Sequence, residues 1–102
     1  MNKNCFVYIM ASGKMGTIYI GSTSNLSLRV MQHKNKTFDS FTAEHSVNKL
    51  VYYEHVGNPD AMVKRERQMK EWQRNWKLKL IIKQNPDWRD LTNEIMSIGE
   101  VI

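Results

Sequence analysis

Phe6-Val7-Tyr8-Ile9 and Ile18-Tyr19-Ile20-Gly21 are two short apolar runs, separated by the turn-forming stretch Ala11-Ser12-Gly13-Lys14-Met15-Gly16. Aromatic and β-branched residues bounded by glycines read as strands, here over 5–10 and 17–21. A hairpin turning at Gly13-Lys14 sets Tyr8 opposite Tyr19. Residues directly opposed in an antiparallel pair share a face, so both hydroxyls are expected to point into one space. Arg29, His33 and Glu66 follow at spacings that can fill it. Tyrosine, arginine, histidine and a lone carboxylate form a kit suited to metal-assisted phosphodiester hydrolysis.

The rest of the chain organises around that hairpin. Thr23-Ser24-Asn25 offers N-caps for a helix from Leu26 to Lys34. The polar stretch 37–46, with Phe38 and Phe41, is expected to form a short irregular helix. Leu50 to Val56 is a third strand, ended by Gly57-Asn58-Pro59. Asn58-Pro59-Asp60 opens a long helix, with Pro in the first turn and Asp at the positive end. It is expected to run to about Trp76, with 77–84 continuing it or forming a second helix after a break. Asn85-Pro86-Asp87 stops it. The order β-β-α-β-α-α predicts an α+β fold, a small three-stranded, mainly antiparallel sheet flanked by helices. One domain is expected over 1–102, with a core of about 4–90 and a loosely packed C-terminal tail over 91–102.

Composition narrows the function classes. The hydrophobic fraction of 41% and three tryptophans argue against disorder. No apolar stretch approaches the ~20 residues of a membrane span, and MNKNCFVYIM lacks a signal-peptide h-region. A single cysteine, Cys5, excludes an internal disulfide and suits a reducing cytoplasm. In a strand, it reads as a buried small apolar residue. Between Lys64 and Lys83, eight Lys or Arg stand against Glu66 and Glu71, a segment charge of +6. The remainder, with seven basic and eight acidic residues, is −1. That stripe is a candidate phosphate-binding surface. Its bland counterpart is a solvated helix face.

Met62, Met69 and Trp76 recur every seven residues and predict the buried stripe of the long helix. Glu66, four after Met62 and three before Met69, puts a carboxylate beside that stripe. It therefore needs an ion pair, hydrogen bonds or a cation, and an ion pair with Arg29 would also satisfy it. Arg29 and His33, four apart, share a helix face turned inward by Leu26 and Val30. Together they can clamp a phosphate and relay a proton. Taken singly, each reads more simply as a capped core histidine or a snorkelling arginine. His45 and His55 show no ligand spacing, and neither a phosphate-binding glycine loop nor a nucleophile elbow occurs. Tyr52, Tyr53, Trp72, Trp76 and Trp88 could stack on bases, but their spacing favours core positions. Lys70 and Arg74 on the long helix, with Lys34 and Lys36 past the first helix, are the candidates for phosphate contacts.

The ordered set resembles the GIY-YIG nuclease domain over nearly the whole chain. Val7-Tyr8 stands at the first signature, with Phe6 in place of its glycine, and Tyr19-Ile20-Gly21 is the second signature intact. Arg29, ten after Tyr19, matches the family's helix arginine. His33 matches its following histidine or tyrosine, and Glu66 its metal-binding glutamate. Gln32-His33-Lys34-Asn35-Lys36, Lys49-Leu50-Val51-Tyr52-Tyr53, Met69-Lys70-Glu71-Trp72 and Asn85-Pro86-Asp87-Trp88 place the chain nearest the short, single-domain bacterial branch similar to YhbQ (UPF0213-like) proteins. Ser22 stands where some nuclease members carry a lysine.

The resemblance implies a metal-dependent DNA endonuclease or nickase, structure-directed or weakly sequence-specific, with a role in DNA repair or recombination. It implies one Mg²⁺ or Mn²⁺ held by Glu66 with several waters, and Arg29 on a non-bridging oxygen. Tyr8, Tyr19 or His33 would act as general base. A free tyrosine has a pKa of about 10, so a tyrosine base requires its pKa to be lowered by Arg29, the metal or a second hydroxyl. In this family specificity usually comes from a further DNA-binding domain, so a partner protein could supply it here. Two other classes compete: a catalytically idle nucleic-acid-binding module, and a protein-interaction domain using the basic stripe. The choice between DNA and RNA, and the oligomeric state, are open at this level.

Overall fold

In the computed structural model, which describes residues 4–36 and 40–101, strand β1 (Cys5–Ala11) is the middle of a three-stranded antiparallel sheet. It is flanked by β2 (Ile18–Thr23) and β3 (Lys49–Val56). A middle strand covered on both faces must be apolar at every position, and β1 is: apart from the half-buried Phe6, its residues are fully buried. Val7, Ile9 and Ala11 face Met69, Leu78 and Ile81. Tyr8 and Met10 face Leu26, Val30, Leu91 and Ile95. The α+β class and the three-strand sheet are those expected from sequence.

The helices are α1 (Leu26–Lys34), α2 (Ser40–Glu44), α3 (Pro59–Glu71), α4 (Arg74–Gln84) and α5 (Thr92–Val101). The anticipated caps form. Asn25 Oδ1 accepts from Leu28 N–H at 3.1 Å, and Asn58 Oδ1 from Ala61 N–H at 2.8 Å. Each satisfies one orphan donor of a first turn. Of the stretch 37–46, residues 40–44 are the helix and 37–39 lie outside the described residues.

Four expectations change. The hairpin turns at Lys14-Met15 rather than Gly13-Lys14: Gly16 N–H donates to Gly13 O at 3.0 Å and Ser12 N–H to Thr17 O at 2.9 Å. Tyr8 therefore faces Gly21, and Tyr19 faces Met10. The slip is two residues, so side-chain parity survives and both tyrosines stay on one face. Next, α3 ends at Glu71, because Trp72 and Gln73 turn extended with ψ 152° each. The seven-residue stripe does not cross that break. Met69 is fully buried and Met62 partly so, but Trp76 lies in the first turn of the next helix and is 55% exposed.

The segment after residue 90 is not loose. Leu91 and Ile95 are buried against α1 and β1, and Leu91 N–H donates to Leu50 O at 2.7 Å. With Asn85 Nδ2 on Val51 O at 3.1 Å, this segment covers polar groups on the outer edge of β3. Asp90 is its anchor. One carboxylate oxygen accepts from Leu50 N–H at 3.2 Å and from Thr92 N–H at 3.1 Å, and the other pairs with Lys34 Nζ at 2.7 Å. Burial raises the Asp90 pKa, but Lys34 and Thr92 outweigh it and hold the carboxyl below its ordinary range. A carboxylate with a lowered folded pKa stabilises the fold above its unfolded pKa and loses that contribution as pH falls through the folded value. Asp90→Asn is expected to destabilise by about 1–2 kcal/mol at neutral pH. The difference from wild type should vanish in urea melts taken at strongly acid pH, and a constant difference at all pH values would contradict the assignment.

Candidate active site

Tyr8 is the residue around which the site is assembled. Its ring lies over Gly21 on β2, so close that a Cβ at position 21 would fall 2.5 Å from the phenol oxygen and 2.7 Å from Cζ. Gly21 has no positive φ; here glycine serves close approach rather than backbone freedom. The phenol then reaches His33 Nε2 at 3.0 Å, and His33 Nδ1 meets Thr42 Oγ1 at 3.1 Å. His33 and Thr42 are both 1% exposed. This chain of three side chains ties β1 to α1 and α2. Tyr19 packs its ring edge-on to His33, with centroids 5.2 Å apart.

Arg29 comes from the same helix as His33, one turn earlier. Its guanidinium lies close enough to the Tyr8 phenol to favour the ionised form, and its Nε donates to Gln32 Oε1 at 3.1 Å. Tyr19 and Glu66 lie close enough to act on Tyr8 through their charges. Burial pushes the Tyr8 pKa well above the ordinary tyrosine value. The Arg29 guanidinium pulls it down, Tyr19 and Glu66 add to the rise, and burial wins. Burial therefore works against ionisation of Tyr8, which is fully buried.

Glu66 sits on α3, across the edge of β2 from the tyrosines. It accepts a hydrogen bond from Ser22 Oγ and pairs with Lys70 Nζ at 2.6 Å. Ser22 faces Val7 in the ladder, on the α3 side of the sheet. The site thus wraps around β2, with the tyrosines, Arg29 and His33 on one side and Ser22, Glu66 and Lys70 on the other. The carboxylate's partner is Lys70 in place of the Arg29 considered from sequence. Where Ser22 replaces the lysine of some nuclease members, the hydroxyl positions Glu66, and a lysine one helical turn on brings the cation. Sequence reasoning missed this use of Ser22. Its signal would have been adjacency to Gly21, which places its side chain toward α3.

The four candidate phosphate contacts separate. Lys70 is half exposed beside Glu66. Lys36 is exposed, with a positive φ of 60°. Lys34 is bound to Asp90 and to Asn48 O at 2.8 Å. Arg74 Nη2 donates to Met15 O at 2.9 Å and to Gly16 O at 2.7 Å, fastening α4 to the hairpin. For a DNA-binding protein, losing one phosphate contact lowers the salt slope of binding by roughly one unit. Lys70→Ala is expected to do so, whereas Arg74→Ala should leave the slope unchanged and lower the melting temperature. Duplex affinity measured across a salt series separates the two, and equal slope changes would place Arg74 on the DNA path.

Elsewhere, Cys5 is a free, fully buried thiol, as its strand position implied. Arg65 forms a bidentate pair with Glu54 at 2.7 and 3.1 Å, and its guanidinium lies 5.2 Å from the Trp72 ring. Among the described residues no helix is long and apolar enough to cross a membrane.

Comparison with known proteins gives a consistent result. The GIY-YIG catalytic domain family matches residues 4–79. A UPF0213 protein of Syntrophus aciditrophicus is 38% identical over 88 residues, covering 85% of this chain and 98% of the relative. A UPF0213 protein of Clostridium perfringens is 37% identical over 76 residues, 74% of this chain and 81% of the relative. One from Staphylococcus epidermidis is 33% identical over 76 residues, 74% of this chain and 92% of the relative. No solved structure is a significant match.

Proposed function

This chain belongs to the GIY-YIG family, and we propose that it is a metal-dependent DNA endonuclease or nickase, structure-directed or weakly sequence-specific, acting in the cytoplasm in DNA repair or recombination. The observation that supports this reading is the gathering of Arg29, Tyr19 and Glu66 within electrostatic reach of the fully buried Tyr8.

The residues suit a single divalent ion. Mg²⁺ is usually bound by one or two carboxylates, with waters and substrate phosphate filling the rest. Glu66 provides one such hard oxygen donor. Lys70, the cation now on it, is 49% exposed at its side chain and free to be displaced into solvent. Among the described residues there is no cluster of three acidic, His or Cys side chains, so a cage made wholly of protein ligands is not the design. When bound, the ion supplies charge stabilisation at the phosphoryl and leaving oxygens.

The chain's own residues do the rest. Arg29 binds a non-bridging oxygen, with its guanidinium oriented by Gln32 and Tyr8. Tyr19 lines a cleft on the protein surface and acts as the phenolate: with its own proton first released to solvent, its oxygen takes the proton of the attacking water. A base must reach the proton it takes, and Tyr8 and His33 are sealed from water. Tyr8, His33 and Thr42 are positioning residues that hold Tyr19 and Arg29 in place. Tyr19→Phe is accordingly expected to lower the cleavage rate by about 10²–10⁴-fold with little change in DNA affinity. Tyr8→Phe should show a smaller rate loss and a lower melting temperature. A small effect at Tyr19 with a large one at His33→Ala would move the base to His33.

The overall test uses purified protein with supercoiled, forked and flapped DNA, with and without Mn²⁺. Metal-dependent nicking is expected. Tight, salt-sensitive binding without cleavage would favour an idle DNA-binding module, and no DNA binding at low salt would favour the protein-interaction class.

A further inference from the structure

Beside the site lies a cleft of about 290 Å³, lined by Ile18, Tyr19, Ile20, Phe41, Lys70 and Lys77. Its chemistry is divided. Its lining combines aromatic and aliphatic side chains with two ammonium groups. Phe41, on the five-residue helix α2, leaves 41% of its surface exposed. One face of its ring is backed by His45, stacked at 4.4 Å, and Tyr19 lies 6.5 Å away, tilted by 31°. Behind Tyr19 stands the buried His33. The aromatic part of the lining is therefore supported by neighbouring rings while Phe41 keeps part of its surface exposed. Lys70 belongs to both the cleft and the Glu66 pair. Lys77 Nζ is held at 3.0 Å by Lys70 O at the end of α3.

We propose that this cleft is a nucleobase subsite, taking one unpaired base of a DNA strand next to the phosphate that is cut. The inference rests on the endonuclease reading above and adds its substrate class. A π-face backed by a second aromatic ring is what an unstacked base needs, and two lysines lining the same cleft suit the phosphate attached to it. The volume is at the small end of ligand pockets, roughly 300–1,000 Å³, matching one planar ring rather than an extended ligand. A base inside a duplex is stacked on both sides and cannot enter, so the subsite favours flaps, forks and single strands over continuous duplex. Lys70 links the subsite to Glu66, so a seated base places its own phosphate beside the carboxylate.

Binding is tested in EDTA with a short single-stranded oligodeoxynucleotide carrying 2-aminopurine, the same strand with one abasic position, and the matching duplex. Quenching of the 2-aminopurine is expected, with affinity falling about tenfold for the abasic strand and for Phe41→Ala, the scale of losing one base–aromatic stack. Phe41→Trp should restore it. Duplex affinity should be the same in wild type and Phe41→Ala. The abasic arm uses the unaltered protein, so the test stands even if Phe41→Ala unfolds α2. Equal affinity for the intact and abasic strands, or equal losses for single strand and duplex, would overturn the subsite. Metal-dependent nicking by a protein that fails these arms would remove the subsite and leave the nuclease reading intact. Failure to bind either strand or duplex, or to cleave any DNA, would remove both.

Discussion

Glu66→Ala is expected to reduce metal-dependent nicking by at least ~10²–10³-fold, the scale of losing one preorganised electrostatic group at a transition state. The fold should survive. Glu66 is paired with Lys70, whose side chain is 49% exposed and can be solvated when its partner is removed. Such a partly exposed pair is worth up to ~1 kcal/mol, so the melting temperature should move by only a few degrees. Ser22 loses an acceptor but sits at the edge strand. Glu66→Gln keeps the Ser22 hydrogen bond and removes the charge, so it should be as inactive as the alanine variant and closer to wild type in stability. Nicking of supercoiled plasmid in Mn²⁺, alongside thermal melts, reads both quantities. Undiminished nicking by Glu66→Gln would end the assignment of Glu66 as the metal ligand.

Gly21→Ala is the second large effect. The added methyl would sit 2.5 Å from the Tyr8 hydroxyl and 3.1 Å from Tyr19 Cε2. A flexible side chain could give way, but Tyr8 is fully buried and held by His33. Overpacking of this kind costs ~1–3 kcal/mol, or roughly 4–8 °C of melting temperature for each kcal/mol. Whatever shift relieves the clash also moves the ring that aligns Arg29 and Tyr19, and a displacement of ~1 Å can cost about 10²-fold in rate. Gly13→Ala is the control, since nothing lies within 4 Å of a Cβ there. A Gly21→Ala protein with native stability and rate would show that the close packing of Tyr8 on β2 is dispensable.

How far the site could be read from sequence follows from which signals are periodic. The pairing register was misplaced because glycine marks a turn centre in sequence, whereas the chain bends at Lys14-Met15 and puts Met15 at φ 59°. Few non-glycine residues adopt that region, and nothing in the residue type announces it. The face assignment survived because a sheet's side-chain period is two, and a slip of two leaves it unchanged. The helix periodicity that found Met69 overran at Trp72-Gln73, where neither proline nor glycine flags the break. The last helix was legible in principle, since Leu91 and Ile95 stand four apart. A short apolar pair after a Pro-Asp turn is a weak signal beside the strong stripe of α3. The Glu66–Lys70 pair was visible as an i, i+4 spacing. Its position next to Ser22 was not, because contact across 44 residues depends on tertiary packing.

The burial of Leu91 and Ile95 bears on how the protein can be cut or fused. A fragment ending at Gln84 would retain every residue from Tyr8 to Lys77 that the site uses. It would lose Asn85 and Asp90, which satisfy the outer edge of β3, and the two side chains that cover Met10, Leu26 and Val30. The Tyr8 side of β1 would keep α1 but lose the cover that Leu91 and Ile95 provide, which weakens the burial on which the raised pKa of the phenol depends. Such a fragment would hold the residues of the candidate site without the packing that positions them. A tag or fused domain belongs beyond Val101 or ahead of Cys5, and a protease nick in the 85–90 loop would act as an off-switch even though it touches no residue of the site.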